Sequence, residues 1–200
     1  MYPHAGLYRQ LTLVLWLAWL LYWLVSAFST KIAQRRESAA SRISYVVPLL
    51  LGAWLIASPR LHWGWLSEQL LPPWPLRYAF AALLVALGLG FTVWARVHLG
   101  RNWSASVTLK EDHELIRSGP YAWVRHPIYT GLLLAFLGSA LACGEPRALV
   151  GLGLVLFSFV RKLRVEERFM REMFPGQYER YSEEVPALVP FTGARRSAPR

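Results

Sequence analysis

The sequence predicts an all-α polytopic membrane protein of about five transmembrane helices, and three observations carry that expectation. Of its 200 residues 54% are hydrophobic and ten are Trp, with a mean hydropathy of +0.28. That is richer in apolar and aromatic residues than an ordinary soluble domain. The apolar residues are gathered into five runs without any charge, at 11–28, 43–57, 78–95, 128–143 and 148–160. The net charge of +10 comes from residues outside those runs.

A helix needs about 20 residues to cross about 30 Å of hydrocarbon, so the second, fourth and fifth runs are short. Long-stemmed flanking residues let them span, with Arg42, Arg161 and Lys162 reaching the headgroups from inside the apolar zone. The first run is too long for the apolar core of a signal peptide and no small-residue cleavage site follows it directly, so it is expected to be a retained span. Segment 61–75, with Trp63, Trp65 and Trp74, reads as an interfacial aromatic belt.

Charge sets the expected orientation. Lys31, Arg35, Arg36 and Arg42 lie between runs one and two, and Arg96, Arg101, Lys110, Arg117 and Arg125 between runs three and four. With the basic residues after run five, 18 of 22 fall on one side, leaving Arg9, Arg60, Arg77 and Arg147 on the other. Cytoplasmic loops hold the excess of Lys and Arg, which puts the N-terminus outside and the C-terminus in the cytoplasm. In a bacterium the membrane would be the inner one. A nucleic-acid reading is excluded because the aromatic-rich runs carry no interleaved charge. The single cysteine, Cys143, leaves no intrachain disulfide and no Cys-based metal site, and no metal centre is expected. Residues 1–191 read as one domain, with its motif-bearing part at 102–191, and 192–200 as a disordered basic tail.

Between runs four and five stands only Gly144-Glu145-Pro146-Arg147. Helices joined by so short a turn pack as a hairpin, so hairpin 128–160 returns the chain to the face it left and brings Arg125 to Tyr129 beside Arg161 to Glu167. Lys162 and Glu166 are i and i+4 on one helix, and Glu167 sits on another side of it. By itself each of these residues has a plain structural reading: an exposed helix laced by ion pairs, a His beside the Pro of a helix start, belt tyrosines. Their convergence at the cytoplasmic mouth of an apolar hairpin suits a small ligand carrying both a cation and a carboxylate.

Within 113–191 the chain runs His113, Leu115-Ile116, Gly119-Pro120-Tyr121, Val124-Arg125-His126-Pro127, Tyr129, Gly131, then the hairpin, then Glu166-Glu167, Phe174, Tyr178, Tyr181 and Val185-Pro186-Ala187-Leu188-Val189-Pro190-Phe191. This string of spacings resembles the isoprenylcysteine carboxyl methyltransferase family and its phospholipid methyltransferase relatives. The resemblance implies an integral membrane enzyme using S-adenosylmethionine and releasing S-adenosylhomocysteine. It implies that His113, Glu114, Leu115, Ile116, Tyr121, His126, Pro127, Ile128, Tyr129 and Glu166 surround the cofactor. A basic residue one turn before the acidic pair, Arg161 or Lys162, would handle the acceptor.

On physical grounds the sulfonium suits the faces of Tyr121 and Tyr129, the amino group suits Glu166, and the carboxylate suits His126 or Arg125. A carboxylate acceptor needs no general base, whereas an amine acceptor would need one, with Glu167 or a His as candidate. The expected function is therefore methylation of a carboxylate on a lipophilic acceptor, prenylated acceptors included, that enters from the bilayer. A phospholipid N-methyltransferase, a non-catalytic membrane protein of the same fold, and a membrane reductase using a nicotinamide cofactor are the rival readings.

Overall fold

The computed structural model describes residues 3–27, 35–58, 64–100, 108–109 and 115–192. Among these the chain forms α1 (Pro3–Ala27), α2 (Ala39–Ala57), α3 (Pro75–Leu99), α4 (Pro127–Cys143), α5 (Pro146–Met173) and a short α6 (Gln177–Glu184). The helix ends follow local chemistry. Ser38 caps α2, its Oγ accepting from the Ser41 backbone N–H at 3.2 Å. Pro75, Pro127 and Pro146 each stand in the first turn of a helix, where the missing N–H has no intrahelical partner to lose. Gly144 ends α4 in the left-handed conformation (φ 69°), its N–H returning to the Ala140 carbonyl at 2.9 Å, so the chain reverses at once into α5.

Among the described residues three helices are long and apolar enough to cross a membrane: Gly6–Ser26 within α1, then Ala39–Ala57 and Pro75–Leu99. α4 is apolar but has only 17 residues. The fifth apolar run and the charged segment after it form one continuous helix, α5, of 28 residues. At 1.5 Å per residue it is about 42 Å long, enough to carry its charged end well beyond a 30 Å apolar layer.

α3 packs on α4 and α2 on α5, and glycines permit both contacts. A Cβ on Gly131 would lie 2.5 Å from the Gly88 carbonyl oxygen, and one on Gly52 would lie 2.5 Å from that of Gly151. The buried centre gathers Tyr129, Val155, Phe159 and Leu163 on one side and Val85, Leu89 and Ala135 on the other. α1 attaches by indole hydrogen bonds: Trp16 Nε1 donates to Ser139 Oγ (3.0 Å) and Trp19 Nε1 to Thr92 Oγ1 (2.6 Å). Leu15 packs against Val85, Leu89 and Ala135 beside them, while the other leucines and valines of α1 are exposed, as lipid-facing residues are.

Two findings differ from the sequence reading. Arg35 and Arg36 pair antiparallel with Leu109 and Thr108, a two-residue ladder that joins the loops before α2 and after α3 and has no apolar alternation to announce it. Arg147, counted above with the free charges of the far side, is buried. It is paired with Glu145 at 2.6 Å and donates to the Leu55 carbonyl and Ser58 Oγ, satisfying the end of α2. Trp65 and Trp74 of the expected belt are exposed, while Trp63 lies outside the described residues, as does 193–200 of the expected tail.

Candidate cofactor and active site

The hairpin does what its short turn requires: the start of α4 meets the charged half of α5. Arg125 and His126 immediately precede α4, held by the chain's last described segment. Arg125 N donates to the Pro186 carbonyl (2.9 Å), His126 N to that of Ala187 (3.0 Å), and Thr130 Oγ1 to that of Leu188 (2.7 Å). Upstream, the 3-10 turn Gly119–Ala122 is fixed by the Tyr181 hydroxyl, which donates to the Tyr121 carbonyl at 2.6 Å. Segment 185–190 is thus a strap laid along the backbone of the polar motif.

Against this platform the two neighbouring carboxylates of α5 have separate environments. Glu167 Oε1 accepts from Arg125 Nε (3.0 Å) and Nη2 (2.6 Å) and lies 3.2 Å from His126 Nε2, and its Oε2 accepts from Arg171 at 3.3 Å. The remaining Arg125 nitrogen donates to the carbonyls of Ser182 (3.0 Å) and Val185 (2.5 Å). Glu166 accepts from the Tyr129 hydroxyl at 2.5 Å, with His126 Nδ1 at 3.5 Å and Lys162 Nζ at 3.8 Å. Its side chain is 26% exposed, against 9% for Glu167. The rings of His126, Tyr129 and Phe159 form one stack, with centroids 5.5 Å and 5.1 Å apart.

Titration follows from these contacts. Burial works to raise the Glu167 carboxyl, but hydrogen bonds from His126 and Arg125 outweigh it and hold the group down at about 2. Burial likewise opposes charge on His126, and its bonds to Glu166 and Glu167 reverse the sign, so its pKa lies above the ordinary 6.5. Glu166, desolvated yet bonded by His126 and flanked by Lys162, is lowered. Burial raises the Tyr121 hydroxyl, with the Glu166 charge adding to it. The two carboxylates thus favour the charged form of the imidazole between them, and it favours theirs.

Of the residues expected around a cofactor, Tyr121, Arg125, His126, Pro127, Ile128, Tyr129 and Glu166 lie on this platform or its edge. Leu115 and Ile116 lead half-buried into the 3-10 turn, and His113 and Glu114 fall outside the described residues. Between the two basic candidates Lys162 is the one beside Glu166, its ammonium over the rings of Tyr129 (5.4 Å) and Tyr45 (5.6 Å), while Arg161 is half-buried on the neighbouring side of the helix. Arg125, weighed as a carboxylate binder, has its guanidinium nitrogens committed to Glu167 and to backbone carbonyls. Sequence reasoning missed Tyr45. It lies in α2, which carries no motif, and its only advance signal is a hydroxyl-bearing ring near the start of an apolar run.

The fold and site define a helical integral membrane protein whose ionic cluster lies at one end of a hairpin. A sequence model of the phospholipid methyltransferase family matches residues 76–177, and the chain belongs to that family. It is 36% identical over 112 residues to the protein-S-isoprenylcysteine O-methyltransferase of Saccharomyces cerevisiae, covering 54% of this chain and 47% of that one. It is 32% identical over 133 residues to a probable protein-S-isoprenylcysteine O-methyltransferase of Oryza sativa subsp. indica, covering 63% and 70%. A solved structure of the eukaryotic intramembrane Ras methyltransferase ICMT superposes with a TM-score of 0.50 at 23% identity, over 76% of this chain and 52% of that one, a likeness of fold. The chain spans about half the length of the yeast relative.

Proposed function

We propose that the protein is an S-adenosylmethionine-dependent methyltransferase acting on a carboxylate of a lipophilic acceptor, in the manner its isoprenylcysteine-methylating relatives are named for. The observation that carries this reading is Glu166, a partly exposed carboxylate held by Tyr129, His126 and Lys162 at the end of an apolar hairpin. The donor set fits the cofactor: the partly exposed Glu166 carboxylate suits an ammonium, and Tyr121 lies buried beside the motif. When bound, S-adenosylmethionine supplies a methyl group activated on a sulfonium.

The protein's own part is positioning, which dominates a direct displacement. Glu166 orients by charge, and Lys162 neutralises and places an acceptor carboxylate. Arg125 and Glu167 hold the platform rigid as positioning residues. Glu167 has both oxygens engaged and a depressed pKa, so it is a poor base for an amine. That favours the carboxylate acceptor, prenylated acceptors included. In this reading the chain crosses the membrane about five times, with the N-terminus outside and the site facing the cytoplasm. Residues 1–191 act as one domain, followed by a basic tail.

Two measurements test the proposal. Purified protein should bind S-adenosylhomocysteine by calorimetry, and absence of binding ends the enzymatic reading. Membranes fed S-adenosylmethionine labelled in its methyl group should yield base-labile label released as methanol. Label retained in a stable lipid headgroup would establish amine methylation instead.

A further inference from the structure

α2 carries no motif, yet one of its residues reaches the polar cluster. Tyr45 is buried, and the Lys162 ammonium lies 5.6 Å from its ring centroid. The same ammonium lies 5.4 Å from the ring centroid of Tyr129, so both rings stand within the roughly 6 Å over which an aromatic face attracts a cation. The Lys162 side chain keeps 18% exposure, with Glu166 at 3.8 Å.

The Tyr45 ring is fixed at both ends. Its hydroxyl donates to Glu37 Oε1, and its backbone carbonyl accepts from Ser158 Oγ at 2.6 Å. Ser158 and Lys162 are i and i+4 on α5, so the face of α5 that docks the Tyr45 backbone also presents Lys162 to the ring. Donation to a carboxylate leaves more electron density on the phenol ring, which strengthens its pull on a cation.

Cofactor binding changes the surroundings of Lys162. In the proposed reaction, on which this role rests, Glu166 takes the cofactor's ammonium and Lys162 the acceptor's carboxylate. Once an ammonium shares Glu166, that carboxylate holds Lys162 less strongly, whereas the ring faces hold it as before. Tyr129 donates its hydroxyl to Glu166 and so belongs to the cofactor side of the cluster, while Tyr45 is tied to Glu37 and Ser158. We propose that Tyr45 is a positioning residue for the acceptor, its ring keeping the Lys162 ammonium in place for the incoming carboxylate while the cofactor occupies Glu166.

The test replaces Tyr45 in the full chain by phenylalanine (Tyr45→Phe) and then by phenylalanines bearing one, two and three ring fluorines, a series that drains electron density from the ring at nearly constant shape. One readout is the rate at which an N-hydroxysuccinimide ester acylates Lys162 with S-adenosylhomocysteine bound, followed by peptide mass spectrometry. The other is steady-state methylation of N-acetyl-S-farnesylcysteine as the probe acceptor. Across the series acylation should quicken and the probe's KM should rise, each by about fivefold, while kcat and S-adenosylhomocysteine affinity move by under about twofold. Independently, Glu37→Gln, which leaves Tyr45 whole and makes its acceptor neutral, should move both readouts the same way. In a Lys162→Met background the KM should no longer depend on fluorination. A role in packing alone would leave both readouts flat, because shape is conserved through the series, and that result overturns the proposal. So does a KM trend that persists in Lys162→Met, or cofactor affinity that falls in step with it. Quickened acylation without methylation of the probe, or with a KM indifferent to Lys162→Met, would locate the failure in the acceptor role of Lys162 itself and overturn the proposal with it, leaving the ring's hold on the ammonium established.

Discussion

Glu166 and Glu167 are adjacent in sequence, yet their work differs because a helix turns about 100° between them. Glu167 faces Arg125 and His126 and is buried in full ionic company, whereas Glu166 keeps an exposed edge. Removing one partner of a buried pair leaves the other charge uncompensated, at roughly 3 to 5 kcal/mol. Glu167→Ala should therefore lower unfolding stability by about that amount in a denaturant titration, and Glu166→Ala should act mainly on S-adenosylhomocysteine affinity. The reverse ranking would show the roles to be exchanged. The pH dependence has a definite sign. The folded Glu167 carboxyl titrates at about 2 against an ordinary 4.5, so its stabilisation is complete above 4.5 and lost as pH falls toward 2. His126 is raised, so its contribution is complete below 6.5 and lost as pH rises through its higher folded value. Melting temperature should decline on the alkaline side, and His126→Gln should flatten that decline.

The helix pairs are set by residues that have almost no side chain. Gly52→Val would press a branched side chain onto the Gly151 carbonyl and Val155, an overpacking that costs about 1 to 3 kcal/mol. Gly90, also helical, has nothing within 4 Å of an added Cβ, so Gly90→Ala should be tolerated or stabilise by under about 1 kcal/mol. In thermal unfolding Gly52→Val should melt earlier than the parent protein and Gly90→Ala no earlier. The strap offers another check. Ending the chain after Glu184 removes the carbonyls that fix Arg125, His126 and Thr130, and should abolish S-adenosylhomocysteine binding while leaving the apolar hairpin inserted in the membrane, as read by carbonate extraction. These elements were unevenly legible: the hairpin was visible in a four-residue turn, but the strap looked like a motif without a role, because its function lies in backbone carbonyls that side-chain identity does not display.

For the molecule as a whole, the basic asymmetry is the basis for orientation, and a reporter active only in the cytoplasm, fused after Arg200, should be active. Arg147 does not weaken that expectation, since its charge is matched by Glu145 inside the fold. Two motif-less helices join the structure around the cluster: α1 clamps α3 and α4 through indoles, and α2 sets the Tyr45 ring 5.6 Å from the Lys162 ammonium. The amino-acid sequence by itself determined the apolar segments, the hairpin, the family and most of the polar set around Glu166, because each is written in local runs, turn residues or fixed spacings. Only the tertiary structure decided that Arg125 belongs to Glu167, that the Tyr129 hydroxyl meets Glu166, and that α2 lies against α5 beside them. Those choices depend on helix rotation and on contacts between residues 37 to 113 positions apart, and no local pattern records either.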